Sequence, residues 1–390
     1  TTEDGYIHNT NYGTAYSASE FSASFSVDKL SKFSFQQWVN KYDENTWNAS
    51  AYHAFSFYIN GTHYNGQSYT SGWQNVIVAL EPGEYTVTFR DTIYNTTDAY
   101  YSRVKNIELS SNWVDVELET AGSLGVEVLY QVNVLNDVEL LKVKGPINST
   151  DWATIKQMTN LLAIDLSEAT ITSIPNSAFD GLSRLSNVKL PEGPTSIGSY
   201  AFRGTQILNI DIPNTITSIG EGAFYQTRVR TVNFKEDSKL TTIGYQAFYE
   251  CTSLTEFIMP NTVTKLGTYN NYTDYACYTF YGCTNLKKLH FSDGLTTLEQ
   301  RVCYDNTKLS DVHLPSNLLS IRDYAFYNTS SIRKIDLPNT LNRIDYNAFY
   351  NCGIDSLLLP LKLSTLENYA FSKCKNLKYI ELPSYIGNYD

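Results

Sequence analysis

A small residue followed by a large apolar one returns at a near-constant interval through the C-terminal half of this 390-residue chain. The copies are Ala178-Phe179, Ala201-Phe202, Ala223-Phe224, Ala247-Phe248, Thr279-Phe280, Val302-Cys303, Ala325-Phe326, Ala348-Phe349 and Ala370-Phe371, with steps of 23, 22, 24, 32, 23, 23, 23 and 22 residues. A fixed period in this range means one coil per copy. A single coil cannot bury its apolar face alone and must stack on its neighbours, which makes a solenoid. Such arrays bind along extended surfaces more often than they house catalysis.

Before each pair runs a short segment of form apolar-x-x-apolar-x-apolar, as in Ile207/Ile210/Ile212, Leu286/Leu289/Phe291 and Ile354/Leu357/Leu359. Seven of the eleven prolines close that segment. Proline has no amide hydrogen and a fixed φ, so it ends a strand and begins a turn. A second apolar pair follows, for example Ile216/Ile219 or Leu341/Ile344, and then the Ala-Phe turn. Four residues after the Ala stand Cys251, Cys283, Cys352 and Cys374, where other coils carry Thr205, Thr227 and Thr329. A position that accepts Cys or Thr asks for a small buried side chain, which favours free thiols over disulfides or a metal. Cys303 replaces the expected Phe, so its coil should be looser than the others.

Strand, proline, Ala-Phe and Cys recurring together resemble the BspA-like, or treponemal-type, leucine-rich repeat over roughly residues 138–390. The resemblance implies a curved solenoid of the kind found on bacterial surface and secreted proteins, many implicated in adhesion. About ten coils of about 23 residues are expected over 161–390. Residues 119–160 read as its N-terminal cap, with a zeroth strand at Val138/Leu141/Val143, a helix over Leu124–Val134, and a short helix opened by Ser149-Thr150-Asp151 that carries Trp152, Ile155 and Met158. The chain ends at SYIGNYD, half a coil after the last strand, with no evident lid.

Residues 1–118 alternate with period two instead. Phe21/Ala23/Phe25/Val27, Phe55/Phe57/Ile59, Val76/Val78/Leu80, Tyr85/Val87/Phe89, Ile107/Leu109 and Val114/Val116/Leu118 read as strands with one buried face. Asn60-Gly61 and Pro82-Gly83 mark turns between them. The fold class is therefore a β-rich two-domain chain: an antiparallel, jelly-roll-like β-sandwich followed by a parallel-strand solenoid. Four of the five Trp fall here. Rings at loop tips stack on sugars, with Trp47 and neighbouring Tyr42 the best placed; the same rings also serve as core.

The charge of −11 divides into −7 for residues 1–118 and −4 for the rest, 6 Lys/Arg against 13 Asp/Glu and 23 against 27. Nucleic acid is an improbable partner, because phosphate recognition needs a basic stripe. No apolar run approaches the roughly 20 residues of a membrane span. The start TTEDGY lacks the charged and apolar regions of an export signal, so a signal was removed or none existed.

Catalytic constellations are missing from the sequence: there is no HExxH, CxxC pair, G-x-S-x-G, P-loop or EF-hand loop. No cofactor or metal is implied. His290 and His313 hold equivalent positions on successive strands and should be neighbours, with Lys288, Asp311, Lys334 and Asp336 around them. That patch reads as a solvated sheet face or as a polar ligand site. The 32-residue step contains an insertion, TYNNYTDYACYT, that spaces Tyr269, Tyr272, Tyr275 and Tyr278 three apart. Insertions in arrays map to loops and often to binding faces, although this spacing also suits a short helix packed on the array. The expectation is a non-enzymatic, monomeric surface or secreted protein, its signal peptide removed and a lipid anchor possible in principle, that presents the solenoid to an extracellular protein or glycan. The alternative is a polysaccharide-capture protein whose sandwich holds carbohydrate.

Overall fold

The computed structural model describes residues 7–8, 17–27, 31–39, 53–64, 74–80, 83–93, 102–110, 112–267, 276–382 and 388–389. It divides into two compact units, Thr1–Trp113 and Val114–Asp390.

The first unit contains two four-stranded antiparallel sheets. One orders its strands Ile7–His8, Ser102–Ser110, Ser31–Val39, Gln74–Leu80; the other Ser17–Val27, Gly83–Ile93, His53–Ile59, Thr62–Tyr64. Asn60 and Gly61 both take left-handed backbone, with φ of 48° and 74°, the geometry a two-residue hairpin needs. Asn60 secures it by donating from Nδ2 to the Glu84 carbonyl and accepting at Oδ1 from the Thr86 amide. Phe33 and Phe35 from one sheet and Phe57, Ile59, Val87 and Phe89 from the other share one core. The Phe35 ring meets Phe57 and Phe89 edge-on at 5.1 and 4.9 Å.

Two expected faces are corrected. Phe21 is 41% exposed, and Ile107 and Leu109 are 41% and 46% exposed, so neither the start of the first long strand nor the Ile107/Leu109 pair enters the core. Leu109 is the register partner of the buried Phe33 and Val104 of the buried Gln37, so the two share the core-facing side of the sheet; Val104 is covered there, whereas Leu109 near the end of the strand is left open.

The second unit is a parallel β-solenoid of about eleven turns. Its first sheet orders Asn187–Lys189, Ala163–Thr170, Leu140–Pro146 and Val114–Glu117, all parallel. Val114–Glu117, read from alternation as the last strand of the antiparallel unit, thus opens the parallel one, with Val116 and Leu118 in the solenoid core. Alternation is common to parallel and antiparallel strands and does not reveal the partner. The strand-proline segments then pair in register, for example Ile210↔Val232 and Leu289↔Val312. The second apolar pairs make another parallel row, Ile197↔Ile219 and Ile219↔Ile243, that resumes at Leu298↔Ile321.

The Ala-Phe turns form a third hydrogen-bonded column. Phe202 N donates to Ala223 O, Phe224 N to Ala247 O and Phe326 N to Ala348 O, each at 2.8 Å. Every phenylalanine from Phe179 to Phe349 in this position is fully buried. From Phe179 to Phe280 the rings stack face to face with centroids 5.0–5.6 Å apart. Phe326, Phe349 and Phe371 repeat this at 5.2 and 5.4 Å. Burial of each ring contributes about 1.5–3 kcal/mol. Between the two stacks stands Cys303. It is fully buried, and Phe291 presents its ring edge-on to Phe326 at 6.4 Å.

The column is closed at its N-terminal end by Trp152, edge-on to Phe179 at 5.5 Å. Its helix, Ser149–Ile155, starts one residue earlier than expected, with Asn148 as cap and Asp151 completing a capping box. The Asp151 carboxylate also accepts from the amides of Gly122 and Leu124, tying the two cap helices together. The first cap helix ends at Leu129, not Val134. Beyond it Val132-Asn133-Val134 places β-branched residues around an asparagine, and Val134 is extended.

All six cysteines are free. Cys251, Cys283, Cys352 and Cys374 donate from Sγ to the carbonyl of the preceding coil's phenylalanine at 3.0–3.2 Å, while Thr205 and Thr329 donate to that of their own coil at 2.8 Å. That shared acceptor is why the position takes either residue. Burial pushes the Cys251 and Cys277 thiols up to about 12. Among the described residues no helix is long and apolar enough to cross a membrane.

Candidate binding surface

The expected histidine pair is assembled. His290 and His313 are register partners with rings 5.5 Å apart, and His290 Nε2 lies 3.5 Å from Asp311 Oδ1. The surrounding charges do not converge on it. Lys288 bonds Glu256 on the other side at 3.0 Å, and Asp336 pairs with Lys334 two residues before it, in a segment that forms no regular strand, both well exposed. Among the described residues no three His, Cys, Asp or Glu side chains are grouped to hold a metal. Tyr42, Trp47, Tyr269, Tyr272 and Tyr275 lie outside the described residues.

Sequence reasoning missed a larger feature. In six consecutive coils the residue after the column phenylalanine, or after Cys303, is a tyrosine: Tyr225, Tyr249, Tyr281, Tyr304, Tyr327 and Tyr350. Because this residue follows a buried one, it faces out of the turn, and the coil spacing brings each ring onto the next. Their centroids are 4.4–5.0 Å apart and their planes within 11° of parallel. The rings are half-buried. Burial first, and nearby Tyr327 next, push the Tyr304 hydroxyl up to about 12. At the far end Lys373 Nζ covers the face of Tyr350 at 5.1 Å.

A second row stands beside the first, built from the residues just before the Ala of each coil. Tyr278, Tyr324, Tyr346 and Tyr369 belong to it. Neighbouring Tyr324–Tyr346 and Tyr346–Tyr369 rings meet edge-on at 5.6 and 5.7 Å. Tyr324 also packs against Tyr304 and Tyr327 of the first row at 6.4 and 5.7 Å. Arg301 sits between Tyr278 and Tyr324, its guanidinium carbon 5.4 and 5.2 Å from the two centroids and Nη1 donating to Tyr278 Oη at 2.7 Å. Further up the array Tyr200 covers the next turn so closely that a Cβ at Gly222 would come within 2.3 Å of its ring. Its hydroxyl donates to Glu221 and is pushed up to about 12, chiefly by burial.

The backbone beneath this row is unusual. Tyr200, Tyr278, Tyr324 and Tyr369 have φ of 56°, 48°, 56° and 60°. Left-handed backbone costs a non-glycine residue about 1–2 kcal/mol. The same position is left-handed in the other coils too, at Ser177, Gly222, Gln246, Arg301 and Asn347, and a second left-handed position four residues on carries Gly181, Gly204, Gly282, Asn328 and Asn351 but also Gln226, Glu250, Asp305 and Lys373, so this backbone belongs to the repeat's turn. Between the rows runs a shallow groove of about 330 Å³ lined by Tyr304, Tyr324, Tyr327, Tyr346, Asn347, Tyr350 and Tyr369. A second cavity of about 320 Å³ opens between Lys265–Leu266 and Thr297–Leu298, where parallel pairing lapses; the Glu299 carboxyl beside it is raised by burial.

The repeat unit that builds these rows identifies the chain. A family model described as the BspA type leucine rich repeat region matches residues 154–274 and 300–389 in six copies. The chain belongs to that family. Similar solved structures include a leucine-rich repeat protein from Bacteroides ovatus (20% identity over 64% of this chain and 74% of that one, TM-score 0.41). A leucine rich cell surface protein from Faecalibacterium prausnitzii is similar at 19% identity, covering 70% and 84%, with a TM-score of 0.36. So is a leucine-rich repeat protein from Eubacterium ventriosum, at 17% identity over 71% and 80%, TM-score 0.38. No curated protein matches the chain. Within this BspA-type array the strand, proline and Ala-Phe positions are the family's repeat, and the tyrosine rows are written over its turns.

Proposed function

We propose that the protein is a non-enzymatic binding protein of a bacterial surface or the extracellular space, working by adhesion through the outer face of its solenoid. The observation that carries this reading is the double tyrosine row. Tyrosine is an apolar ring with a polar tip, enriched at interfaces because it gives contact area at little entropic cost. Family membership supports the setting, since BspA-type arrays belong to surface and secreted proteins.

Residues 1–113 are, on this reading, a jelly-roll-like sandwich with a spacer role, 114–160 the cap with the first parallel strand, and 161–390 the binding solenoid. Tyr42 and Trp47, and the insertion tyrosines Tyr269, Tyr272 and Tyr275, are auxiliary contacts. His290, His313, Asp311 and Asp336 form a polar flank to it. The full chain, tested by surface plasmon resonance on immobilised extracellular proteins and glycans, should capture at least one partner, and Tyr346→Ser with Tyr369→Asn should abolish capture. A partner held equally well by the doubly substituted chain would refute the assignment of binding to this face.

A further inference from the structure

The second tyrosine row has a period of its own. Tyr324 and Tyr369 directly precede the Ala of their coils, whereas Tyr346 between them stands one residue earlier. Equivalent rings therefore recur every second coil, about 9.5 Å apart at about 4.8 Å per strand. A polyproline II helix rises about 3.1 Å per residue with three residues per turn, about 9.3 Å in all. The two repeats are commensurate, so a ligand in that conformation would meet the same pair of tyrosines at each of its turns. Such a chain is also preformed and has no internal hydrogen bonds, leaving its carbonyls for tyrosine hydroxyls and its pyrrolidine rings for the groove walls.

Charge narrows the ligand further. The cations nearest the groove are already engaged: Arg301 between two rings, Lys373 on Tyr350, and Arg322 with Asp345 at 3.3 Å. Asp305 is held by a neutral donor, Asn328 Nδ2 at 2.8 Å, and Asp323 by the Tyr346 amide at 3.1 Å. Arg301 and Lys373 keep their charge on the ring faces, whereas Asp305 and Asp323 are carboxylates bonded by neutral donors only and open to a cationic side chain. A flat sugar fits less well, because the first-row faces are taken up by one another at 4.4 and 4.7 Å from Tyr304 to Tyr350.

We infer that the groove between the tyrosine rows is a docking site for a proline-rich, basic peptide segment in polyproline II conformation, laid along the array with its cationic side chains toward Asp305 and Asp323. This rests on the binding role proposed above and names its ligand class.

Fluorescence anisotropy with the full chain tests it, using a labelled peptide of Pro-Pro-Lys repeats and a Gly-Ser-Lys control of equal length and charge. The proline peptide should bind at least about tenfold tighter than the control. Tyr346→Ser should lower that affinity about tenfold. Tyr369→Asn should do the same, since asparagine accepts left-handed backbone and removes only the ring. Asp305→Asn should weaken binding and flatten its salt dependence. All three should keep the parent's circular dichroism spectrum and a single cooperative unfolding transition. Equal binding of the two peptides, no binding of the proline peptide, or an affinity unmoved by these variants would overturn the inference, as would an oligosaccharide that displaces the peptide. A captured extracellular partner that depends on Tyr346 but is not displaced by the proline peptide would end the peptide assignment alone. A partner indifferent to Tyr346 and Tyr369 would end the underlying reading instead.

Discussion

Two columns of stacked aromatic rings run the length of the array one residue apart in sequence. The phenylalanines are sealed inside and the tyrosines following them are half open to solvent, yet their ring spacing is nearly the same, 5.0–5.6 Å against 4.4–5.0 Å. Stacking is thus a consequence of the coil repeat and not a measure of importance to the fold. What separates the columns is desolvation. The inner rings lose all their water on folding, which makes them the structural spine. The outer rings lose part of it and keep an edge and a hydroxyl for something else.

The largest expected effect is on the spine. Phe326→Ala should cost about 3–5 kcal/mol in chemical denaturation, by lost transfer energy and the cavity left between Phe349 and Phe291. A loss below about 1 kcal/mol would mean that the column does not carry the array. Cys303→Phe would make the repeat regular, but with Phe291 already reaching Phe326 it should overpack and cost about 1–3 kcal/mol. A gain in stability would show instead that the coil holds unfilled space. Tyr327→Ala, in the outer column, should cost only about 1–2 kcal/mol, the worth of two ring contacts with partial burial.

The outer column also has a pH signature. Tyr304 of that column, and Tyr200 outside it in a turn further up the array, are raised to about 12 from the ordinary value near 10, because burial disfavours the phenolate. A raised folded pKa adds stability that is fully present below pH 10 and is lost as pH climbs toward 12. Unfolding free energy should therefore fall across that interval, and absorbance titration should find a class of tyrosines that ionises about two pH steps late. Titration of every tyrosine near pH 10 would contradict the stacked arrangement.

The spine was legible in the sequence because burial constrains every copy: Phe at one position, Leu, Ile or Val at the others, and Cys or Thr where only a small side chain fits. The outer column was less so. Tyr225 to Tyr350 repeat as regularly as their phenylalanines, but exposed positions are free to vary, and only the coil spacing turns six separate tyrosines into a stack. The second row was harder still, since Tyr346 is offset by one residue from Tyr324 and Tyr369. The histidine pair followed from register and was correctly expected. Val114–Glu117 was misplaced because alternation reports a buried face and not the direction of the neighbouring strand. Phe21, Ile107 and Leu109 were misplaced because alternation also says nothing of where the covering layer stops: Phe21 and Leu109 are the register partners of the buried Phe89 and Phe33 and are themselves open.

The claim that inner rings hold the array while outer rings serve binding is tested most directly by one paired measurement on the Tyr346→Ser, Tyr369→Asn chain. Both rings are substantially exposed, 36% and 62%. Unfolding should stay cooperative, with a loss no larger than about 1–2 kcal/mol per ring for the edge-on contacts removed, while the binding of parent-captured partners disappears. A lowered midpoint with binding intact would contradict the account.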